Sequence, residues 1–286
     1  MIHLLAASLL WAFSFGLIKG QLAGLDPVAV SFGRLILAAW AFAPLVMRSP
    51  LRRRLVGQAM VLGMVQFGLM YMLYIASYRW LPAWMVALFT IFTPLYVVLF
   101  SDLLDRRFRA RHLLCAALAV VGAGVVVMTA MPEGADWRGI VLLQGANLCF
   151  AVGQVMFVRL KGLADGREAA LMGWMYLGAG LLTMVVMLVR MAGGIQPWTG
   201  WPEGAWWVLL YLGLLPTALG FYLWNKGAAR VGAGVLAAAN NLKVPLAVLV
   251  SWLVFGETAA YSRVMIGLVV IVGALFLARP RGRAGG

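Results

Sequence analysis

Apolar side chains run along this chain in blocks of about twenty residues, broken by short clusters of arginine, proline, glycine and aspartate. Ten such blocks can be drawn. The first five cover Ile2 to Lys19, Pro27 to Met47, Leu55 to Ser77, Pro82 to Ser101 and His112 to Met131. The second five cover Trp137 to Leu160, Glu168 to Met191, Gly204 to Ala228, Gly232 to Val254 and Tyr261 to Ala278. None alternates polar with apolar at the period of two that a membrane β-barrel requires. Each is long enough to cross lipid as a helix, which satisfies its own backbone where no water can. The pattern predicts an all-α polytopic membrane protein of ten transmembrane helices.

Composition agrees. Charged residues make up 11% of the chain and mean hydropathy is +0.95, whereas a soluble domain carries about 25% charge. The net charge of +14 would suggest nucleic acid on a soluble protein, but here the basic residues crowd into short loops. If both termini are cytoplasmic, sixteen basic residues fall in inner loops and five in outer ones: Lys19, Arg79, Arg138, Arg190 and Arg263. That asymmetry is the positive-inside signal, so lipid and not nucleic acid is the expected partner. Cys115 and Cys149 lie inside apolar blocks and read as small packing residues, with neither a disulfide nor a metal site expected. The opening block lacks a basic leader and a small-residue cleavage pattern, and reads as a retained first helix.

The chain also resembles itself. At a shift of 151 residues Tyr71 meets Tyr222, Arg79 meets Arg230, Ala87 meets Ala238 and Pro94-Leu95 meets Pro245-Leu246; at 152, Asp105 meets Glu257 and Arg111 meets Arg263. This divides the chain into repeats at 1–131 and 132–286, the second ending in a short basic tail. Five helices per unit is an odd number, so the second unit enters the membrane inverted. Inverted repeats of this kind can rock about one central site.

On these features the chain resembles the EamA family of the drug/metabolite transporter (DMT) superfamily. The resemblance rests on Leu10-Trp11 with Lys19, Asp26-Pro27, Phe32-Gly33-Arg34-Leu35, Val244-Pro245, Phe255-Gly256-Glu257, Arg263, Gly267 and Gly273. It departs at Asp105 and Cys115, where the family usually has Glu and Gly. Within the family the chain looks most like the YddG-type amino-acid exporters. The resemblance implies a cavity among helices 1, 3, 4, 6, 8 and 9, with helices 5 and 10 peripheral.

Polar residues inside apolar spans are costly unless they face protein or water. In the sixth span Gln144, Asn147 and Gln154 share a helical face. Thr90 and Thr93 precede Pro94 in the fourth span, and Asn240, Asn241 and Lys243 precede Pro245 in the ninth. Each proline frees a carbonyl about one turn upstream, near Thr90 and Asn241, and defines a candidate kink. Lys243 lies deep in its span and would pair with a substrate carboxylate; the plainer alternative is an ammonium held on freed carbonyls. Arg34, seven residues into the second span, is expected to snorkel to the outer surface as an anchor. Trp11, Tyr78 and Tyr222, in or bordering spans assigned to the cavity, are candidate lining rings. Packing is the commoner role of such rings, and tryptophans near span ends read as interfacial belt.

The expected function is movement of a small metabolite across the inner membrane by alternating access, with amino-acid export foremost and organic cations or drugs as the alternative. A channel or an intramembrane enzyme is a remoter reading; no paired carboxylates, metal motif or nucleophile with a visible base is present, and no cofactor is expected. All nine acidic residues lie at span ends or in loops, so uniport-like transport is expected over proton coupling. A monomer or a homodimer is compatible with the glycine spacing.

Overall fold

The computed structural model describes residues 2–81, 83–108, 136–228 and 230–255, with scattered positions from 110 to 121 and from 269 to 273. All regular structure among these residues is helical. Seven described helices are long and apolar enough to cross a membrane. They are α1 (Ile2–Leu22), α2 (Pro27–Arg48), α3 (Arg53–Ser77), α4 (Met85–Asp105), α5 (Trp137–Lys161), α6 (Glu168–Ala192) and α7 (Glu203–Ala228). They match the predicted first four, sixth, seventh and eighth spans to within a few residues. The ninth span is two pieces, α8 (Ala233–Asn241) and α9 (Lys243–Phe255), joined at Leu242. Most of the predicted fifth and tenth spans lies outside the described residues.

Local chemistry sets the helix starts. Asp26 caps α2, its Oδ1 accepting from the Val28 and Ala29 amides at 2.9 and 3.0 Å, with Pro27 as the first helical residue. The same carboxylate receives Arg190 of α6 at 2.8 Å, tying two helix ends together. At the opposite, arginine-rich end Arg159 of α5 meets Asp105 of α4 at 2.6 Å, and Arg167 donates to the Pro50 carbonyl at 2.7 Å.

Neither α3 nor α7 is uniformly α-helical. The first widens to a π-helix at Met64–Leu69, the second at Gly213–Gly220, where Pro216 supplies no amide to the ladder. The fourth helix tightens to a 3₁₀ turn at Thr90–Phe92, just before Pro94. Irregular positions recur at the sequence shift of 151 residues: the first π stretch maps into the second, and Ile91 maps onto Leu242.

Neighbours follow the same correspondence. Helix α3 packs on α5 and α6; α7 packs on α1 and α2. Helix α4 packs on α5, and α9 on α1, while α2 meets α6 and α4 meets α8.

The tightest approach joins α3 to α6. A Cβ at Gly63 would collide with the Met175 backbone, and one at Gly178 with the Met60 backbone. Backbone cannot swing aside as a side chain can, so these glycines set the helix separation, as small residues do in membrane bundles. Gly63→Ala or Gly178→Ala is expected to cost about 1–3 kcal/mol by overpacking, read as a lower unfolding midpoint in detergent. Gly180→Ala, which meets open space, is the control that should leave the midpoint unchanged.

Candidate functional site

The proline breaks leave backbone carbonyls without ladder donors, and side chains collect them. In the 3₁₀ turn the Thr93 amide takes the Thr90 carbonyl, so the exposed acceptors become Phe89 and Ile91, one residue either side of the predicted position. Asn147 Nδ2 donates to the Phe89 oxygen at 2.8 Å, joined by Gln144 Nε2 at 3.3 Å. Asn241 Nδ2 donates to the Ile91 oxygen at 3.3 Å, linking the two broken helices. In α7, Trp11 Nε1 donates to the Pro216 oxygen at 3.0 Å, and the Tyr176 hydroxyl donates to the Thr217 oxygen at 2.6 Å.

Between the breaks lies a cavity of about 70 Å³, bounded by α1, α2, α3, α4, α5, α7 and the first residue of α9. Trp11, Phe150 and Phe221 form its floor toward the arginine-rich end; their ring centroids lie 4.9–6.1 Å apart. Ser14, Phe15, Ile18, Tyr71, Tyr74, Thr90, Thr93 and Asn147 extend along the walls. The volume is well below the ~300–1,000 Å³ of ligand pockets. A metabolite larger than a few waters therefore needs the walls to move.

Two cations face this space. Lys243 is 8% exposed, with Nζ 3.4 Å from Asn240 Oδ1 and 5.6 Å from the Trp11 and Phe150 ring centroids. It is the first residue of α9, directly after the break at Leu242. Arg34 is the surprise. It does not snorkel: it is 2% exposed, its guanidinium 4.1 Å over the Tyr71 ring. Nη2 donates to Tyr71 Oη at 3.0 Å and to Thr217 Oγ1 at 3.1 Å, and Nε to Thr217 at 3.2 Å. Nη1 has no hydrogen-bond partner among the described residues. Depth along the helix suggested the surface, but rotation turns the side chain inward, where a tyrosine and a threonine hold it. Among the described residues the cavity lining contains no aspartate or glutamate.

Of the residues singled out from sequence, Trp11, Thr90, Thr93, Asn147 and Lys243 line the cavity, and the Thr93 hydroxyl is buried without a partner among the described residues. Asn240 and Asn241 stand one step behind, on Lys243 and on the Ile91 carbonyl. Tyr78 is buried against Tyr74, their hydroxyls 2.8 Å apart. Gln154 is buried outside the lining. Tyr222 packs on Phe42 and under Lys226, and its neighbour Phe221 takes the cavity position. The π stretch just before it accounts for this, since an added residue turns the following face by about 100°. Pro94 and Pro245 each follow their break by two to three residues. Sequence reading missed Arg34 as a cavity residue and Thr217 altogether; a threonine beside Pro216 in an apolar span was the available signal.

A chamber at mid-span, walled by broken helices inside a bundle of membrane-crossing helices, defines a multi-pass membrane transporter. The EamA-like transporter family matches residues 1–128 and 137–279, and the chain belongs to that family, within the DMT superfamily. In bacteria its localisation is the inner membrane, and it is a transporter, not an enzyme. It is 39% identical to a probable biotin transporter of Pseudomonas aeruginosa, over 98% of this chain and 97% of that one. It is 33% identical to the biotin transporter of Escherichia coli strain K12, over 98% and 93%. A probable terminal-alkyne amino-acid exporter of Streptantibioticus cattleyicolor is 26% identical over 94% and 90%. A solved crystal structure at 18% identity shares the fold, with a TM-score of 0.78 over 99% of this chain and 98% of that one.

Removing either anchor of the guanidinium leaves a buried donor unpaired. Tyr71→Phe and Thr217→Val are each expected to lower stability by about 1.5–3 kcal/mol, as loss of a hydrogen bond to charge does. Thermal unfolding in detergent reads this; an unmoved midpoint in both would mean these hydroxyls do not hold Arg34.

Proposed function

We propose that this protein transports biotin, or a closely similar neutral-headed monocarboxylate, by alternating access. The observation that carries the reading is the pair of buried cations, Arg34 and Lys243, on a cavity with no carboxylate among the described lining residues. A carboxylate can meet the spare Nη1 of Arg34 and the Lys243 ammonium, both on the cavity. The aromatic floor suits the apolar rings and chain of such a molecule. An organic cation, the alternative raised by sequence, would meet two like charges.

Amino-acid export is the second reading, favoured by the 26% identical exporter. A zwitterion brings an ammonium as well, and the described lining residues offer it aromatic rings but no anion. The relatives at 33–39% identity also favour biotin.

Two inverted units, at 1–131 and 132–286, supply the motion, with both termini on the arginine-rich, cytoplasmic face. Support comes from the matching π stretches, the matching breaks at Ile91 and Leu242, and packing neighbours that survive exchange of α1–α4 with α5–α9. Transport is uniport-like, since neither histidine nor carboxylate lines the cavity among the described residues.

Uptake of labelled biotin into proteoliposomes tests the substrate. Wild type is expected to accumulate label saturably and to discriminate against biotin methyl ester. Arg34→Met and Lys243→Met, checked for membrane insertion, should each reduce uptake at least tenfold, about 1.4 kcal/mol. Equal handling of ester and acid, or full uptake by both variants, would end the proposal. An imposed proton gradient should leave the final biotin distribution unchanged; uphill accumulation would contradict uniport.

A further inference from the structure

Below the aromatic floor, toward the arginine-rich end, lies a second set of polar groups that the cavity does not use. Gln66 sits in the π stretch of α3 and is 0% exposed; Gln154 sits in α5, about two turns beyond Asn147, and is 1% exposed. Both atoms of both carboxamides lack a hydrogen-bond partner among the described residues. Gln66 packs on Gly153, the residue just before Gln154, so closely that a Cβ there would collide with its side chain. Phe67, next to Gln66, closes on Phe221 at 4.9 Å, so the floor rings separate this pair from the cavity.

Buried amides are nearly always satisfied in folded proteins, and orphaned ones call for an explanation. Burial in lipid sharpens the demand, since no water is at hand. Each carboxamide offers one carbonyl acceptor and two N–H donors. Among the described residues neither carboxamide has a charged hydrogen-bond partner. Such a pair can satisfy a neutral head group that itself both donates and accepts, such as a cyclic urea or lactam. It has nothing to neutralise an ion.

We propose that Gln66 and Gln154 form a second substrate station on the cytoplasmic side of the floor, which takes the neutral ureido head of the substrate once the floor rings part. The carboxylate end is left to Arg34 and Lys243. This rests on the biotin reading above, and it goes beyond it by assigning the head group its own residues.

Competition for labelled-biotin uptake in proteoliposomes tests it, with desthiobiotin (urea and carboxylate) and lipoate (carboxylate, no urea) as competitors. In wild type desthiobiotin should compete at least tenfold more strongly than lipoate. Gln66→Met and Gln154→Met, which keep length and helix preference, should each narrow that preference at least fivefold and shift lipoate's own inhibition less than twofold. Gln66→Leu and Gln154→Leu repeat the measurement with a different shape. Variants that keep the wild-type preference would reduce the pair to a site for structural water and overturn the station. The wild-type arm alone overturns it if lipoate competes as well as desthiobiotin. If wild type takes up no biotin, the parent reading fails first, and that result is distinct because no label enters in any sample.

Discussion

A proline inside a membrane helix leaves a carbonyl without its donor, in surroundings that offer no water to replace it. In this transporter the replacement donors come from neighbouring helices. Asn147 reaches the Phe89 oxygen and Asn241 the Ile91 oxygen. The breaks thus draw polar side chains from α5 and α8 to one depth, and the cavity forms where they meet. Without Pro94 and Pro245 the same spans would run straight, and the polar residues beside them would have no backbone to serve.

The cations follow from the same geometry. Restarting the helix at Lys243 turns its first residue toward the cavity. The π stretch of α7 brings the Thr217 hydroxyl to Arg34, while Tyr176 takes the carbonyl of that same residue. One irregular turn therefore secures a backbone oxygen from one side and a guanidinium from the other. Charge buried at this depth is tolerated because each group has partners, and Arg34 still holds one nitrogen in reserve.

Much of this was legible in the sequence, and the limits have physical causes. Span positions could be read because twenty apolar residues leave lipid few other solutions. The two breaks could be read from proline, and Lys243 from the oddity of an ammonium among leucines. Arg34 could not: position along a helix gives depth, but which way a side chain turns depends on what waits there, here Tyr71 and Thr217. The exchange of Tyr222 for Phe221 has a similar origin, since π-helical turns carry no residue pattern of their own and rotate everything after them. Gln66 shares its apolar block with Gln58, and nothing in the residue pattern set it apart; its full burial and its packing on Gly153 do.

The glycine contacts between α3 and α6 bear on how such a molecule can move. Two helices whose main chains interlock at Gly63 and Gly178 behave as one beam: neither can slip lengthwise past the other without lifting a backbone over a backbone. Any rocking must then be absorbed elsewhere, and the two interrupted helices are the compliant members left. The frame stays stiff and the joints bend.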